Sequence, residues 1–117
     1  MITIYHNPKC SKSRMGLQFL ENLDEEYKIR NYTLDSFSRD EIVVLLKKMN
    51  IKPIDWVRTN EEVWKTNYKN KNLRDDEIID ALYNHQNLIQ RPILEYKNFA
   101  SIARSNEDLA AFIKLIE

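Results

Sequence analysis

At 117 residues and 14.1 kDa the chain has the size of one domain, long enough to bury roughly two-thirds of the surface its unfolded form exposes. Apolar residues make up 43% and charged residues 31%, which excludes intrinsic disorder, collagen-like repeats and a disulfide scaffold. Eighteen basic side chains balance eighteen acidic ones, so a net charge of +0 excludes a wholly basic face for nucleic acid. No apolar run reaches the ~20 residues of a membrane helix. The first residues, MITIYHNPKC, lack the basic stretch and long apolar core of a secretory signal, so a cytoplasmic protein without membrane contact is expected.

Ile2, Thr3, Ile4 and Tyr5 read as a short strand that the Asn7-Pro8 turn signal ends. A helix follows, with Met15 and Phe19 on one stripe and Gly16, Leu20 and Leu23 on another. Gly16 is the only glycine in the chain. A mid-helix glycine costs up to ~1 kcal/mol against alanine, so either close backbone packing or simple tolerance accounts for it. Residues 26–32 alternate polar and apolar, as a half-buried strand should. Strand, helix and strand make a βαβ unit, parallel and right-handed.

Ser38 and Glu41 form a capping box ahead of Ile42, Leu45, Leu46 and Met49, in a helix that ends near Asn50. Short helical pieces are expected over 54–57 and 61–68, and Asp75 or Asp76 as the cap of a helix carrying Ile78, Ile79 and Leu82. Trp56, Trp64, Tyr68 and Tyr83 fit packing positions, and His85 a solvated helix end. Strand character returns at Ile93, Leu94 and Glu95, turns at Lys97-Asn98 and resumes over 99–103 as an antiparallel hairpin. Ser105 and Asp108 form another capping box, opening a last helix with Leu109, Phe112, Ile113 and Ile116. The order is βαβ, a helical block, then ββα.

Cys10 is the only cysteine, so no internal disulfide and no multi-thiolate metal site can form. It sits where the first strand hands over to a helix, whose free N–H groups and dipole favour an anion. Lys9, Lys12 and Arg14 add positive charge, and His6 closes the loop. Such surroundings lower a thiol pKa and also make an anion site. The other reading of a lone cysteine, a small buried apolar side chain, stays open at this point. His6 and Cys10 supply only two candidate metal ligands where a structural zinc needs four, and no metal is expected.

HNPKCSKSR, VRTNE (57–61), LIQRPI (88–93) and IARSNE (102–107), in that order, resemble the glutaredoxin-coupled arsenate reductases, the ArsC/Spx-like family. The likeness spans nearly the whole chain. It implies an α/β, thioredoxin-like fold with a mixed four-stranded sheet in a single ArsC-like domain, its core over 1–35 and 87–117 and a helical insertion over 36–86. By the same resemblance Cys10 is the catalytic nucleophile, and Arg58, Arg91 and Arg104 hold the oxyanion. His6, Asn7, Lys12, Ser13 and Arg14 support the thiolate, and Pro92 is the proline whose cis bond faces the cysteine. Guanidinium forks suit tetrahedral oxyanions better than ammonium groups do.

The implied activity is reduction of arsenate or a similar oxyanion. No bound cofactor is implied: an external small thiol, glutathione or an equivalent, is the reductant, and a glutaredoxin-like protein recycles Cys10. The chain departs from the family's common IGRPPE, with Ala103 for the glycine and Ser105-Asn106 for the two prolines, so a looser loop around Arg104 is expected. A competing reading is the Spx-like regulator that binds RNA polymerase, but its C-x-x-C switch cannot close with Ser13 in the fourth position. A third is a monothiol oxidoreductase of the same fold acting on glutathionylated proteins.

Overall fold

Four short strands form one mixed sheet in the order β2-β1-β3-β4: β1 (Ile2–His6), β2 (Tyr27–Asn31), β3 (Ile93–Tyr96) and β4 (Phe99–Ile102). The computed structural model describes residues 1–117. β1 runs parallel to β2, with Ile4 opposite Ile29, and antiparallel to β3, with Ile4 opposite Leu94. β3 and β4 form the expected hairpin, closed by a turn in which Lys97 takes φ 53°. The mixed four-stranded sheet matches the sequence-based expectation.

The chain forms two compact units, Met1–Ser36 with Arg91–Glu117, and Phe37–Gln90. In the first, helix α1 (Ser11–Glu21) and helix α5 (Asn106–Ile116) accompany the sheet. Ile2, Ile4, Leu20, Leu94, Ala103, Leu109 and Phe112 make one buried apolar cluster. Removing such side chains from water contributes about 1.5–3 kcal/mol each for the larger ones. β1 is buried at every position, as a central strand should be. β2 departs from the expectation. Its alternation predicts Ile29 on a covered face, yet Ile29 is 50% exposed, because β2 is an edge strand with one neighbour only.

The second unit is built from α2 (Arg39–Met49), α3 (Glu62–Asn67), α4 (Asp75–Asn84) and two 3-10 turns, Pro53–Trp56 and Gln86–Leu88. The α2 capping box is complete: Ser38 Oγ accepts from the Glu41 amide at 3.1 Å and Glu41 accepts from the Ser38 amide at 2.9 Å. Asn50 ends α2 in the left-handed region, which asparagine tolerates. The cap of α4 is Arg74, not Asp75 or Asp76, and Glu77 accepts from its amide at 2.9 Å. Both aspartates lie in the first turn, where negative charge favours the helix dipole.

Trp56 is fully buried and donates its ring N–H to the Gln90 carbonyl at 3.0 Å. Trp64 stacks on Tyr68 with ring centroids 5.2 Å apart. Tyr83 does not pack inside: it is 44% exposed, on the outer side of α4 from Ala81 and Leu82. His85 is half-buried rather than solvated, edge-on to Tyr68. An antiparallel bridge between Val57 and Ile89 was not legible in the sequence.

Candidate active site

The loop between β1 and α1 is a tight turn written by its own side chains. The Cys10 amide donates to the Asn7 carbonyl at 3.0 Å, with Pro8 in the corner position it prefers. Asn7 Oδ1 accepts from the Lys9 amide at 3.0 Å. Cys10 is the N-cap of α1 and its carbonyl accepts from Arg14 at 3.0 Å. The sulfur therefore stands over the first turn of the helix, where amides lack partners within the helix.

Cys10 is half-buried. It closes no capping hydrogen bond of conventional geometry. Burial pushes its thiol up, but the Ser13 amide, the Arg91 side chain, the Lys12 amide and the Arg91 charge together carry the pKa below its ordinary value. Partial exposure and these donors favour an ionisable sulfur over a sequestered apolar side chain. Arg91 is only 8% exposed, and a guanidinium held there beside a sulfur offsets negative charge with little screening by water. Arg91 is joined to Pro92 by a cis peptide bond, as the resemblance implied.

Ser13 is completely buried and joins three elements of the loop. Its Oγ accepts from the Asn7 amide at 2.9 Å and lies 2.7 Å from His6 Nδ1. Besides accepting from Asn7, Oγ keeps a proton and a second lone pair, so it can pair with either tautomer of the neutral His6 ring. Burial lowers the His6 pKa, the Ser13 backbone raises it, and the Arg14 charge lowers it further, leaving it below 6.5. The ring is thus neutral around pH 7. Arg14 Nη1 donates to the Pro8 carbonyl at 2.9 Å, bracing the same loop, and the Lys12 side chain is exposed.

The structure therefore brings His6, Asn7, Lys12, Ser13 and Arg91 around Cys10. Arg104 is half-exposed in the same unit, and its amide donates to Asp108 Oδ2 at 3.1 Å. The loop carrying it holds backbone and capping hydrogen bonds without a glycine or a proline. The Ala103 amide donates to the Pro92 carbonyl at 3.0 Å, and Ser105 Oγ caps α5 by accepting from Asp108 at 3.0 Å. Arg58 belongs to the other unit, where its amide donates to the Leu88 carbonyl at 2.7 Å and its Nη1 pairs with Glu61 at 2.9 Å. Sequence reading missed Glu61 and Asp108 as partners of these arginines, although their spacings of three and four residues were available signals. No three His, Cys, Asp or Glu side chains gather to hold a metal ion.

The sequence profile of the ArsC family matches residues 5–112. The chain belongs to the ArsC family. It is 37% identical over 108 residues to an arsenate reductase of Haemophilus influenzae, covering 91% of this chain and 93% of that one. An arsenate reductase of Escherichia coli is 38% identical over 94 residues, covering 80% of this chain and 67% of the relative. The solved arsenate reductase from Vibrio cholerae superposes with a TM-score of 0.86 at 34% identity, over 94% of this chain and 95% of that structure. The ArsC domain here has the thioredoxin-like α/β fold of these relatives.

Proposed function

We propose that this ArsC-family chain is a thiol-dependent arsenate reductase, working as one ArsC-like domain. The single observation that carries the reading is the pairing of the only cysteine with buried Arg91 at the start of α1. A thiolate and an arsenate would otherwise repel, and fixed positive groups at their meeting point remove that barrier. The Cys10 thiolate attacks arsenic, an S–As bond forms, one As–O bond breaks, and the departing hydroxide takes a proton from solvent and leaves as water. Arg91, with Arg104 of the same unit, holds the remaining oxygens by paired N–H donors.

An external thiolate then attacks the Cys10 sulfur. The S–As bond breaks, its electron pair stays on arsenic, and arsenite leaves with arsenic reduced from the +5 to the +3 state. Cys10 is left as a mixed disulfide. A second thiol resolves it, releasing the oxidised thiol pair and restoring the Cys10 thiolate. With one cysteine in the chain both thiols come from outside. Glutathione as the first and a glutaredoxin-like dithiol protein as the second suit this scheme. No helix is long and apolar enough to cross a membrane.

The test is oxidation of added thiol with arsenate present and absent. Wild type consumes two thiols per arsenite formed, Cys10→Ser consumes none, and Arg91→Ala is slowed at least ~100-fold. Thiol consumption that ignores arsenate, or survives in Cys10→Ser, overturns the proposal.

A further inference from the structure

Gly16 lies midway along α1, on the buried stripe that also carries Ser13 and Leu20. A Cβ built at Gly16 falls 2.8 Å from Pro92 Cγ and 3.6 Å from Ile4 Cδ1. Ordinary contact begins at 3.4 Å, so a methyl group there forces the helix and Pro92 apart by about 0.6 Å. The missing side chain is therefore filled space, which resolves the choice the sequence left between close packing and tolerance. Gly16 φ is ordinary for a helix, so its freedom of conformation is not the reason for it.

Pro92 has little room to yield. It is buried, and its carbonyl accepts from the Ala103 amide at 3.0 Å, one residue before Arg104. Directly before it in the chain is Arg91, whose guanidinium favours the ionised Cys10 sulfur. On the other side, α1 is pinned at its start by Ser13, bonded to His6 and to the Asn7 amide. The helix whose amides face the sulfur and the segment that delivers the guanidinium thus meet at Gly16 and Pro92. Their separation sets how closely Arg91 approaches Cys10.

We infer that Gly16 is a positioning residue for the thiolate site: its lack of a side chain sets the distance between α1 and Pro92, and through it the reach of Arg91 to Cys10. The inference rests on the proposed thiolate chemistry, and it acts on the electrostatics of the sulfur rather than on the fold. Alanine is the better helix former, so Gly16→Ala supports the helix while it opens the gap. A purely structural role for Gly16 would change stability and leave the thiol alone.

The experiment is the pH profile of Cys10 alkylation, with sulfate as a tetrahedral oxyanion probe that protects the thiol. Gly16→Ala is compared with wild type and with Gln18→Ala, an exposed position on the same helix. In Gly16→Ala the apparent thiol pKa rises by about 1 unit and protection needs about tenfold more sulfate, while helix content is kept. Gln18→Ala behaves as wild type. If Gly16→Ala does not fold, Gly16→Ala/Ile4→Val frees space on the far side of the new methyl and is measured instead, with a thiol pKa still above that of wild type. A folded variant with the wild-type profile overturns the role of Gly16 alone. A wild type with an ordinary thiol pKa and no protection overturns the thiolate reading beneath it.

Discussion

Ser13→Ala removes one buried hydroxyl that serves two buried groups at once. Ser13 is fully buried, and its partners His6 and Asn7 are 6% and 8% exposed. Without Oγ, the Asn7 amide and His6 Nδ1 both lose their bonds of 2.9 and 2.7 Å, with little access to water. An unsatisfied buried polar group costs about 1–3 kcal/mol, so two in one loop cost about 2–4 kcal/mol after local relaxation. That corresponds to a fall in Tm of roughly 10–20 °C for a domain of this size. Urea denaturation at neutral pH reads the loss directly. The Ser13 amide is untouched, so the variant keeps its helix start while the His6 and Asn7 side of the loop loosens. A loss below ~0.5 kcal/mol would refute the reasoning, since the hydroxyl would then be a bystander.

Arg91→Lys keeps the charge but loses the fork, so it should raise KM for arsenate about tenfold or more and raise the thiol pKa less than Arg91→Ala does, as steady-state kinetics and thiol titration would show. His6 has a folded-state pKa below its ordinary 6.5, so the unfolded chain takes up the proton first. Stability is therefore held above pH ~6.5 and falls as acid carries the pH down through the folded-state value. Urea midpoints from about pH 8 to about pH 5 should fall more steeply in wild type than in His6→Asn. Ser38→Ala breaks the α2 capping box and should cost about 1 kcal/mol in the same denaturation assay.

Local chemistry was the legible part of this fold. The box at Ser38 and Glu41 lies within four residues of sequence and appears as read, whereas at Ser105 only half of the expected box forms: the hydroxyl caps α5, and Asp108 Oδ2 takes the Arg104 amide instead. The Arg74 cap escaped because arginine offers no acceptor, and the work falls to the Glu77 carboxylate reaching back. Exposure of Ile29 and Tyr83 depends on which neighbours cover them, a matter of tertiary position that periodicity does not carry. The Val57–Ile89 bridge joins residues far apart in sequence, beyond any local pattern.

At the site, the sequence identified Cys10 and its charged loop, because strand-turn-helix chemistry is local. It could not show that Ser13 is the hub of that loop, since serine in an amphipathic helix reads as solvent-facing. Burial of Arg91 beside the sulfur joins β3's entry to α1's start across eighty residues of chain, and only the motif resemblance pointed to it. Gly16 was visible as an oddity whose meaning needed Pro92 in place.

The most direct measurement is the thiolate absorbance of Cys10 as a function of pH, a clean signal because the chain has no other cysteine. An apparent pKa below the ~8.5 of a free thiol, rising in Arg91→Ala, is the expected result. An apparent pKa at or above that of a free thiol, or one that Arg91→Ala leaves unchanged, contradicts the account.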